Sequence, residues 1–375
     1  MYRRRIALAA ALLISAVTSS PGFCYDMDSH EFLGAAAARH SVASDLLQQY
    51  LGFPEGGQTR LRAGQLLLSI EDWVGHGARE EDLPLKRVLN HFHNPLSPWR
   101  DAGLSIVRSF GDSSIIWSQR ATQSPGGTWT WAAARRTFLD ALTLPTLDAR
   151  ERRLAETFNA LGHLTHLVQD ASVPAHTRND PHPSIPFFGT FIPLNPDWYE
   201  DWVEETRLSD PDAFAALVAL PPKRPLRLVL YSSDPAAPVG IAGLIDTDQV
   251  SADGPAPSIF GPATTGIAEF SNANFLSRDT IFGGGFSRPS IGDLGPGFYE
   301  AERGAFRRYF PKVVAGTGLV EVLHFVAEGT LTEHLKPFST TVPPTLMWHL
   351  TPRVHEDYAR ELIPRAIGYS AELID

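Results

Sequence analysis

Cysteine is almost absent from this chain. One cysteine, Cys24, occurs in 375 residues, so a scaffold of internal disulfide bonds is excluded. A metal site in this protein must therefore be built from imidazole and carboxylate groups rather than from clustered thiolates. The sequence contains 13 histidines and 42 acidic residues that can supply such groups.

Basic residues and long apolar runs are also scarce. The chain has 32 Lys and Arg against 42 Asp and Glu, a formal net charge of −10 at pH 7. General binding to nucleic-acid backbones or anionic membranes depends on basic patches, so this charge argues against such a role. Beyond the first two dozen residues, no run reaches the roughly 18 continuous apolar residues that a membrane-spanning helix needs.

The N-terminal segment has the three parts of a secretory signal peptide. Three arginines form its basic start, an apolar stretch covers 6–17, and the small residues Gly22 and Cys24 precede a cleavage site. Cleavage there would remove the cysteine and make Tyr25 the first residue. We therefore expect residues 1–24 to be a signal peptide and the protein to be exported, either to the periplasm or out of the cell. A retained N-terminal anchor is the alternative.

Hydrophobic spacing predicts a mainly α-helical protein. Apolar residues recur at helical intervals in 31–51, 61–73, 129–144, 147–171, 198–208, 263–280, 298–310 and 355–373. Between 313 and 326 the pattern fits a short β-hairpin as well as a helix. Residues 179–196 contain five prolines and predict a loop, and 220–262 are rich in Pro, Gly and Ser and predict an insertion or linker. We expect one domain over 25–375, a multi-helix bundle with minor β structure.

The most informative spacing lies in the longest of these predicted helices. His166 and Asp170 are four residues apart and therefore share one helix face. Pro174 ends the helix, which allows His176 to approach the same point from the following loop. Two imidazoles and a carboxylate suit a borderline metal, with zinc the leading candidate. His163 could contact the ligands rather than the metal, but a packed core histidine is the favoured interpretation.

The motif L-G-x3-H-x3-D-x3-P-x-H over residues 161–176 resembles the central motif of the zinc-dependent phospholipase C and P1/S1-type nuclease superfamily. Proteins of that superfamily are all-α and hold three zinc ions in a cleft lined by His, Asp or Glu and the N-terminal residue. The resemblance covers roughly residues 25–205. It implies a phospholipase C/P1 nuclease-like helical domain with zinc as cofactor, three ions being expected and two being the alternative.

The resemblance also implies a zinc ligand at the mature N-terminus. In the superfamily the terminal amine and carbonyl bind zinc, and a His follows closely. After cleavage, Tyr25 would be that terminus, although the superfamily usually has Trp there. His30 follows five residues later and is the predicted ligand, with His40 as the competing choice.

An acidic ligand and a further His come next in the superfamily. His91 fits the His position, and His93 is interpreted as a bystander. Asp82 is the predicted acidic ligand and Glu81 the alternative, because pattern alone cannot separate adjacent carboxylates. Whichever of Asp82 and Glu81 is the ligand is also the candidate to assist deprotonation in catalysis. A solvated acidic turn is the other interpretation of this segment.

The last implied site needs His176, a second His, and an acid four residues after that second His. Glu200 fits the acid, but Pro196 stands at the position of the second His and cannot coordinate. His182, in the preceding proline-rich loop, is the provisional replacement. A weakened or absent third site is the alternative.

The resemblance implies hydrolysis of a phosphate ester by zinc-activated water. Phospholipase C-type cleavage of phospholipids is the first expectation, with Asp170 bridging two ions. Aromatic residues on the proline-rich loop suit lipid chains but also stack on bases; they are Phe187, Phe188, Phe191 and Trp198. The alternatives are a single-strand nuclease or 3'-nucleotidase, and an exported metal-binding protein without catalysis.

The expected partner is therefore a phospholipid or another phosphate-ester substrate. A transient contact with a membrane surface is compatible with that expectation, whereas a stable complex with nucleic acid is not expected. The sequence does not indicate an oligomeric state.

Overall fold

The computed structural model describes residues 26–375 apart from 106–110, 183, 188–189, 194, 227–239, 283–285, 287, 303, 315 and 330–346. The predicted signal peptide and the predicted ligand Tyr25 lie outside this described part of the chain.

Helices dominate the N-terminal half and close the C-terminal end. They are α1 (Met27–His40), α2 (Ala43–Tyr50), α3 (Ile70–Glu80), α4 (Ser114–Gln119), α5 (Trp131–Thr143), α6 (Leu147–Asp170), α7 (Pro174–Arg178), α8 (Trp198–Ser209), α9 (Pro211–Val218), α10 (Ile241–Ile245), α11 (Ile267–Asn274), α12 (Arg278–Phe282) and α13 (Pro352–Ile374). Short 3-10 helices lie at Gly56–Gln58, Leu85–Asn90 and Ile291–Asp293. Among the described helices, none combines the length and the apolarity needed to cross a membrane.

In the described part of the chain, the strands form three small antiparallel sheets. They are β1 (Arg60–Ala63), β2 (Leu66–Ser69), β3 (Ser184–Phe187), β4 (Thr190–Pro193), β5 (Phe298–Glu302), β6 (Ala305–Val313), β7 (Val320–Glu328) and β8 (Trp348–His349). The first two pairs are hairpins, and β5 to β8 form one four-stranded sheet in sequential order.

Local sequence specifies both ends of the long helix α6. The Thr146 side chain accepts a hydrogen bond from the Ala149 backbone N–H and caps the first turn. The helix ends at Asp170, and Pro174, which has no backbone N–H to donate, occupies the first turn of α7. Asn179, at φ 57°, then ends α7 in the left-handed conformation. The chain therefore passes directly from α6 into a second short helix.

Two glycines allow α3 and α6 to approach closely. A Cβ atom on Gly77 would lie 2.0 Å from the carbonyl oxygen of Asn159, and one on Gly162 would lie 2.2 Å from that of Val74. Because both neighbours are backbone atoms, a side chain at either position would force the helices apart. The contact holds the end of α3 against the C-terminal half of α6, where His166 lies.

The C-terminal helix α13 joins the helical part of the molecule to the sheet and is buried over most of its length. One hydrophobic cluster packs it against β6, β7, α8 and α9. A second cluster packs its last turns against α6, α10 and α11, and a third fills the space between α1, α3 and α6. Helix α6 therefore lies between two of these cores, with the predicted ligands at its C-terminal end.

The predicted fold class is wrong, because the described chain is a mixed α/β protein rather than a mainly α bundle. Residues 298–310, predicted as a helix, form strands β5 and β6, joined at Gly304 with a φ of 82°. Exposure alternates from residue to residue along β5, which is the period of a strand. The hairpin alternative for 313–326 is confirmed, since β6 pairs with β7.

Two further predictions of local structure also need correction. Residues 61–73, predicted as one helix, begin with the β1–β2 hairpin, and α3 starts only at Ile70. Residues 179–196, predicted as a loop, contain the hairpin of β3 and β4. The prediction that 220–262 is an insertion or linker stays a prediction; within this segment, helix α10 is buried against α6.

Candidate metal centre

The residues predicted to bind metal meet beside the C-terminal end of α6. In chain order they are His30 on α1, Asp82 just after α3, His91 after the second 3-10 helix, His166 and Asp170 on α6, His176 on α7, His182 before β3, and Glu200 on α8. All of these side chains are buried. The remaining predicted ligand, Tyr25, precedes the described residues.

The first group forms around Asp82. Its Oδ1 lies 3.4 Å from His166 Nε2 and 3.5 Å from His91 Nδ1. Those two nitrogens are 3.1 Å apart, and Asp170 Oδ2 lies 2.9 Å from His91 Nδ1 and 3.0 Å from His166 Nε2. Two carboxylates and two imidazoles therefore converge on one point.

The second group shares members with the first. His30 Nε2 lies 3.4 Å from Asp170 Oδ1, and the His30 and His166 rings stack with their centroids 3.7 Å apart. The competing histidine, His40, is exposed at the end of α1. The structure thus brings His30, and not His40, to the site.

The third group lies on the other side of Asp170. Two imidazole rings lie next to the Glu200 carboxylate. Oε1 is 3.3 Å from His176 Nε2, and Oε2 is 3.1 Å from His182 Nε2. Burial raises the pKa of Glu200, but His182 and His176 lower it to about 2. His182 thus lies next to Glu200 in this group, whereas Pro196 stands at the position where the superfamily has its second His.

Contacts behind the rings orient several of these histidines. His166 Nδ1 donates to the carbonyl oxygen of Ala78 at 2.6 Å, which leaves Nε2 as the nitrogen that faces the carboxylates. His30 Nδ1 lies 2.6 Å from Gln169 Oε1, and His182 Nδ1 lies 3.2 Å from the Asp180 carbonyl oxygen. Metal-binding histidines typically use the second ring nitrogen in this way.

Charge pairing sets the pKa values at the centre. Burial alone would raise the pKa of Asp170, but the imidazoles of His166 and His176 hold it well below its usual range. Burial also opposes ionisation of Asp82, yet His166 lowers the pKa of this carboxyl too. Burial lowers the pKa of His166, but the negative charges of Asp170 and Asp82 raise it by more. The net pKa of His166 is well above the usual value. The lowered pKa values of Asp170 and Asp82 favour the ionised carboxylates that metal binding requires.

The donor atoms fit bound cations. Asp82 Oδ1, Glu200 Oε1 and both ring nitrogens of His176 are buried and make no well-formed hydrogen bond within the described part of the chain. Leaving a buried polar atom in that state costs about 1–3 kcal/mol, and a cation between the groups would remove that cost. Three buried groups could each hold a metal ion: His30 with His166 and Asp170, Asp82 with His91 and His166, and His176 with His182 and Glu200.

Glu81, the alternative acidic ligand and candidate catalytic residue, is a member of none of these groups. Its carboxylate accepts hydrogen bonds from Arg87 Nη2 at 2.8 and 2.6 Å and from Trp117 Nε1 at 2.9 Å. His163 Nδ1 lies 2.6 Å from Oε2. Burial raises the pKa of Glu81, but the hydrogen bond from His163 helps to hold it well below the usual value. Its oxygens are thus already used by protein donors.

Sequence reasoning missed residues whose only signal is their position next to a ligand. Gln169, beside Asp170, contacts His30 as described above. His93 was interpreted as a bystander, yet its Nε2 lies 2.8 Å from Asp246 Oδ2 and its backbone N–H donates to the His176 carbonyl oxygen. Long-range partners such as Asp246 leave no local pattern by which sequence could identify them.

Comparison with known proteins finds no protein-family model, no curated protein and no solved structure that matches this chain.

Proposed function

We propose that the protein is an exported zinc-dependent hydrolase of phosphate esters, of the phospholipase C type. The observation that carries this proposal is the set of three adjoining buried His and carboxylate groups around Asp170. Their members are the residues that the resemblance to the phospholipase C and P1/S1 nuclease superfamily selects. The four-stranded sheet, which departs from the all-α expectation, lies beyond the segment 25–205 that the resemblance covers.

Zinc is the proposed metal because imidazole nitrogens and carboxylate oxygens in groups of three or four are its usual ligands. Three ions are proposed, one for each group. His166 would serve only the ion beside Asp82 and His91, because its Nδ1 donates to the Ala78 carbonyl oxygen and leaves Nε2 alone for a metal. Asp170 suits a bridging role, since Oδ1 faces His30 and Oδ2 faces both His91 and His166. After removal of residues 1–24, the resemblance implies that the amine of Tyr25 would add a further ligand. Bound zinc would supply Lewis acidity toward phosphate oxygens and make hydroxide available near neutral pH.

Asp82 is the proposed proton acceptor in the reaction. Its side chain is 10% exposed, whereas those of His91, His166 and Asp170 have no exposed surface. Substrate would therefore reach this carboxylate before the other members of its group. Asp82 takes a proton from the attacking water as the new oxygen–phosphorus bond forms. The phosphorus–oxygen bond to the alcohol then breaks. The departing alkoxide takes up a proton from a solvent water, and Asp82 returns its own proton to solvent, so the charges balance.

Phospholipid is the proposed substrate class. Phe187 and Phe191 lie on the β3–β4 hairpin, which connects His182 to α8 and its ligand Glu200. Aromatic residues at this place in the chain suit acyl chains next to a phosphate-binding site. Single-stranded nucleic acid is the competing substrate, because the same residue type stacks on bases.

Metal analysis and paired substrate assays test the proposal. Mature protein purified without chelator should contain two to three zinc ions per chain, the number expected from the resemblance. It should release the headgroup from phosphatidylcholine, and chelator should abolish that release. Asp82→Asn should lower the rate at least about 100-fold, whereas Asp253→Asn, which changes an exposed carboxylate outside the site, should not.

Two results would contradict the proposal. Less than one zinc ion per chain would exclude the metal centre. No chelator-sensitive release from either phosphatidylcholine or single-stranded DNA would instead indicate an exported metal-binding protein without catalysis. Activity on DNA alone would move the assignment to the nuclease alternative.

A further inference from the structure

Glu81 lies next to the proposed ligand His91, on the side of the ring that faces away from the metal groups. The Nδ1 atom of His91 faces the metal groups, 2.9 Å from Asp170 Oδ2. Its other ring nitrogen, Nε2, lies 3.7 Å from Glu81 Oε1. A small movement of the carboxylate or the ring brings this pair within hydrogen-bond reach. Glu81 is thus placed toward His91 as Gln169 is toward His30 and the Ala78 carbonyl is toward His166, each next to the ring nitrogen that points away from the metal groups.

A buried arginine fixes the Glu81 carboxylate in this position. The side chains of Arg87 and Glu81 are 0% and 1% exposed. Arg87 Nη2 donates to both carboxylate oxygens, and its Nη1 donates to the carbonyl oxygens of Pro125 and Gly127. A buried ion pair is seldom a source of net stability, because desolvation of both charges offsets their attraction. Its placement beside a predicted ligand therefore calls for another explanation.

We propose that Glu81 is a positioning residue, which sets the ring orientation and tautomer of His91 so that Nδ1 faces the group formed with Asp82 and His166. This inference depends on the metal binding of the proposed function. Arg87 and His163 hold Glu81 in place, so Glu81 acts on the metal through His91. It is neither a metal ligand nor the proton acceptor.

Zinc affinity and a spectroscopic readout test this role. We would compare wild type, Glu81→Gln and a control, Glu321→Gln, which breaks the buried pair of Glu321 with Lys312 on the sheet. Zinc would be titrated against a chromophoric chelator, and absorption spectra would be recorded after cobalt substitution. In Glu81→Gln one zinc ion should bind about 10–100-fold more weakly, with a changed cobalt spectrum. Glu321→Gln should match wild type in both measurements.

The control separates positioning from stability, because each substitution leaves a buried cation without its carboxylate and should lower the unfolding temperature. Glu81→Asp serves if Glu81→Gln does not fold. It keeps the charge beside Arg87 but withdraws the oxygens from His91, and one zinc should again bind more weakly, by about tenfold.

Unchanged zinc affinity in the folded Glu81 variants would overturn the inference, as would equal weakening in Glu321→Gln. Failure of the wild type to bind zinc would instead contradict the proposed function, so the two failures are distinguishable.

Discussion

At the scale of single residues, Asp170 lies close to members of all three groups of the candidate centre. Its Oδ1 lies 3.4 Å from His30 Nε2 and 3.8 Å from His176 Nδ1, while Oδ2 faces His91 and His166. Both oxygens are shielded from bulk solvent, because the residue has no exposed surface. A change at Asp170 would therefore disturb more than one group, whereas the ligands at the edge of the site can be tested separately.

His182 is the proposed ligand whose removal should affect one group alone. The variant His182→Gln keeps the volume of the side chain but lacks the nitrogen that lies 3.1 Å from Glu200. We expect it to lose about one zinc ion per chain, since three-ligand zinc sites seldom tolerate the loss of a ligand. His40→Gln, at an exposed histidine, should keep the wild-type zinc content in the same atomic absorption measurement. Equal zinc content in both variants would contradict the role of His182.

Sequence predicts site residues well where the relevant spacing is local. His166 and Asp170 share a face because they are four apart on one helix, and this spacing needs no tertiary information. The choice between Glu81 and Asp82 could not be made in that way, since both stand in the same acidic turn. Tertiary contacts distinguish them, because Glu81 pairs with Arg87 whereas Asp82 faces His91 and His166.

Among elements, the same contrast between local and distant information appears. The helices at 147–171, 198–208 and 355–373 were predicted from apolar periodicity and are present as α6, α8 and α13. Residues 298–310 were assigned the wrong period, because β5 and β6 are specified by pairing with each other and with β7. Strand propensity depends on such neighbours more than helix propensity does.

The contact of α3 with α6 should be sensitive to one methyl group. In Gly162→Ala the new Cβ would meet the Val74 carbonyl oxygen at 2.2 Å, and a backbone atom cannot move aside as a side chain can. We expect a loss of about 1–3 kcal/mol in the free energy of unfolding, measured by urea denaturation. The shift would also separate His166 from the Ala78 carbonyl oxygen and weaken zinc binding.

Gly261→Ala is the matched control for this prediction. Its Cβ would approach a serine side chain no closer than 3.2 Å, so its stability should stay within about 0.5 kcal/mol of wild type. Equal stability of the two variants would show that α3 and α6 can separate without cost.

At the scale of the whole molecule, α13 connects the helices of the candidate metal centre to the sheet. The Tyr358 hydroxyl donates to the carbonyl oxygen of Phe325 on β7 at 2.9 Å, and the last turns of α13 pack on α6. Unfolding of the sheet should therefore be coupled to unfolding of the site. His355, buried near the start of α13, offers a way to follow that global transition.

The pH dependence of stability should reveal His355. Burial, with a contribution from His349, lowers the pKa of His355 to about 3, against about 6.5 in an unfolded chain. Between those values the unfolded state binds the extra proton, so stability falls as the pH falls. His355→Leu removes this protonation site. Between pH 7 and pH 5 its free energy of unfolding should therefore fall by about 2 kcal/mol less than that of wild type, measured by urea unfolding. Parallel pH profiles for the two proteins would show that His355 does not remain neutral in the folded state.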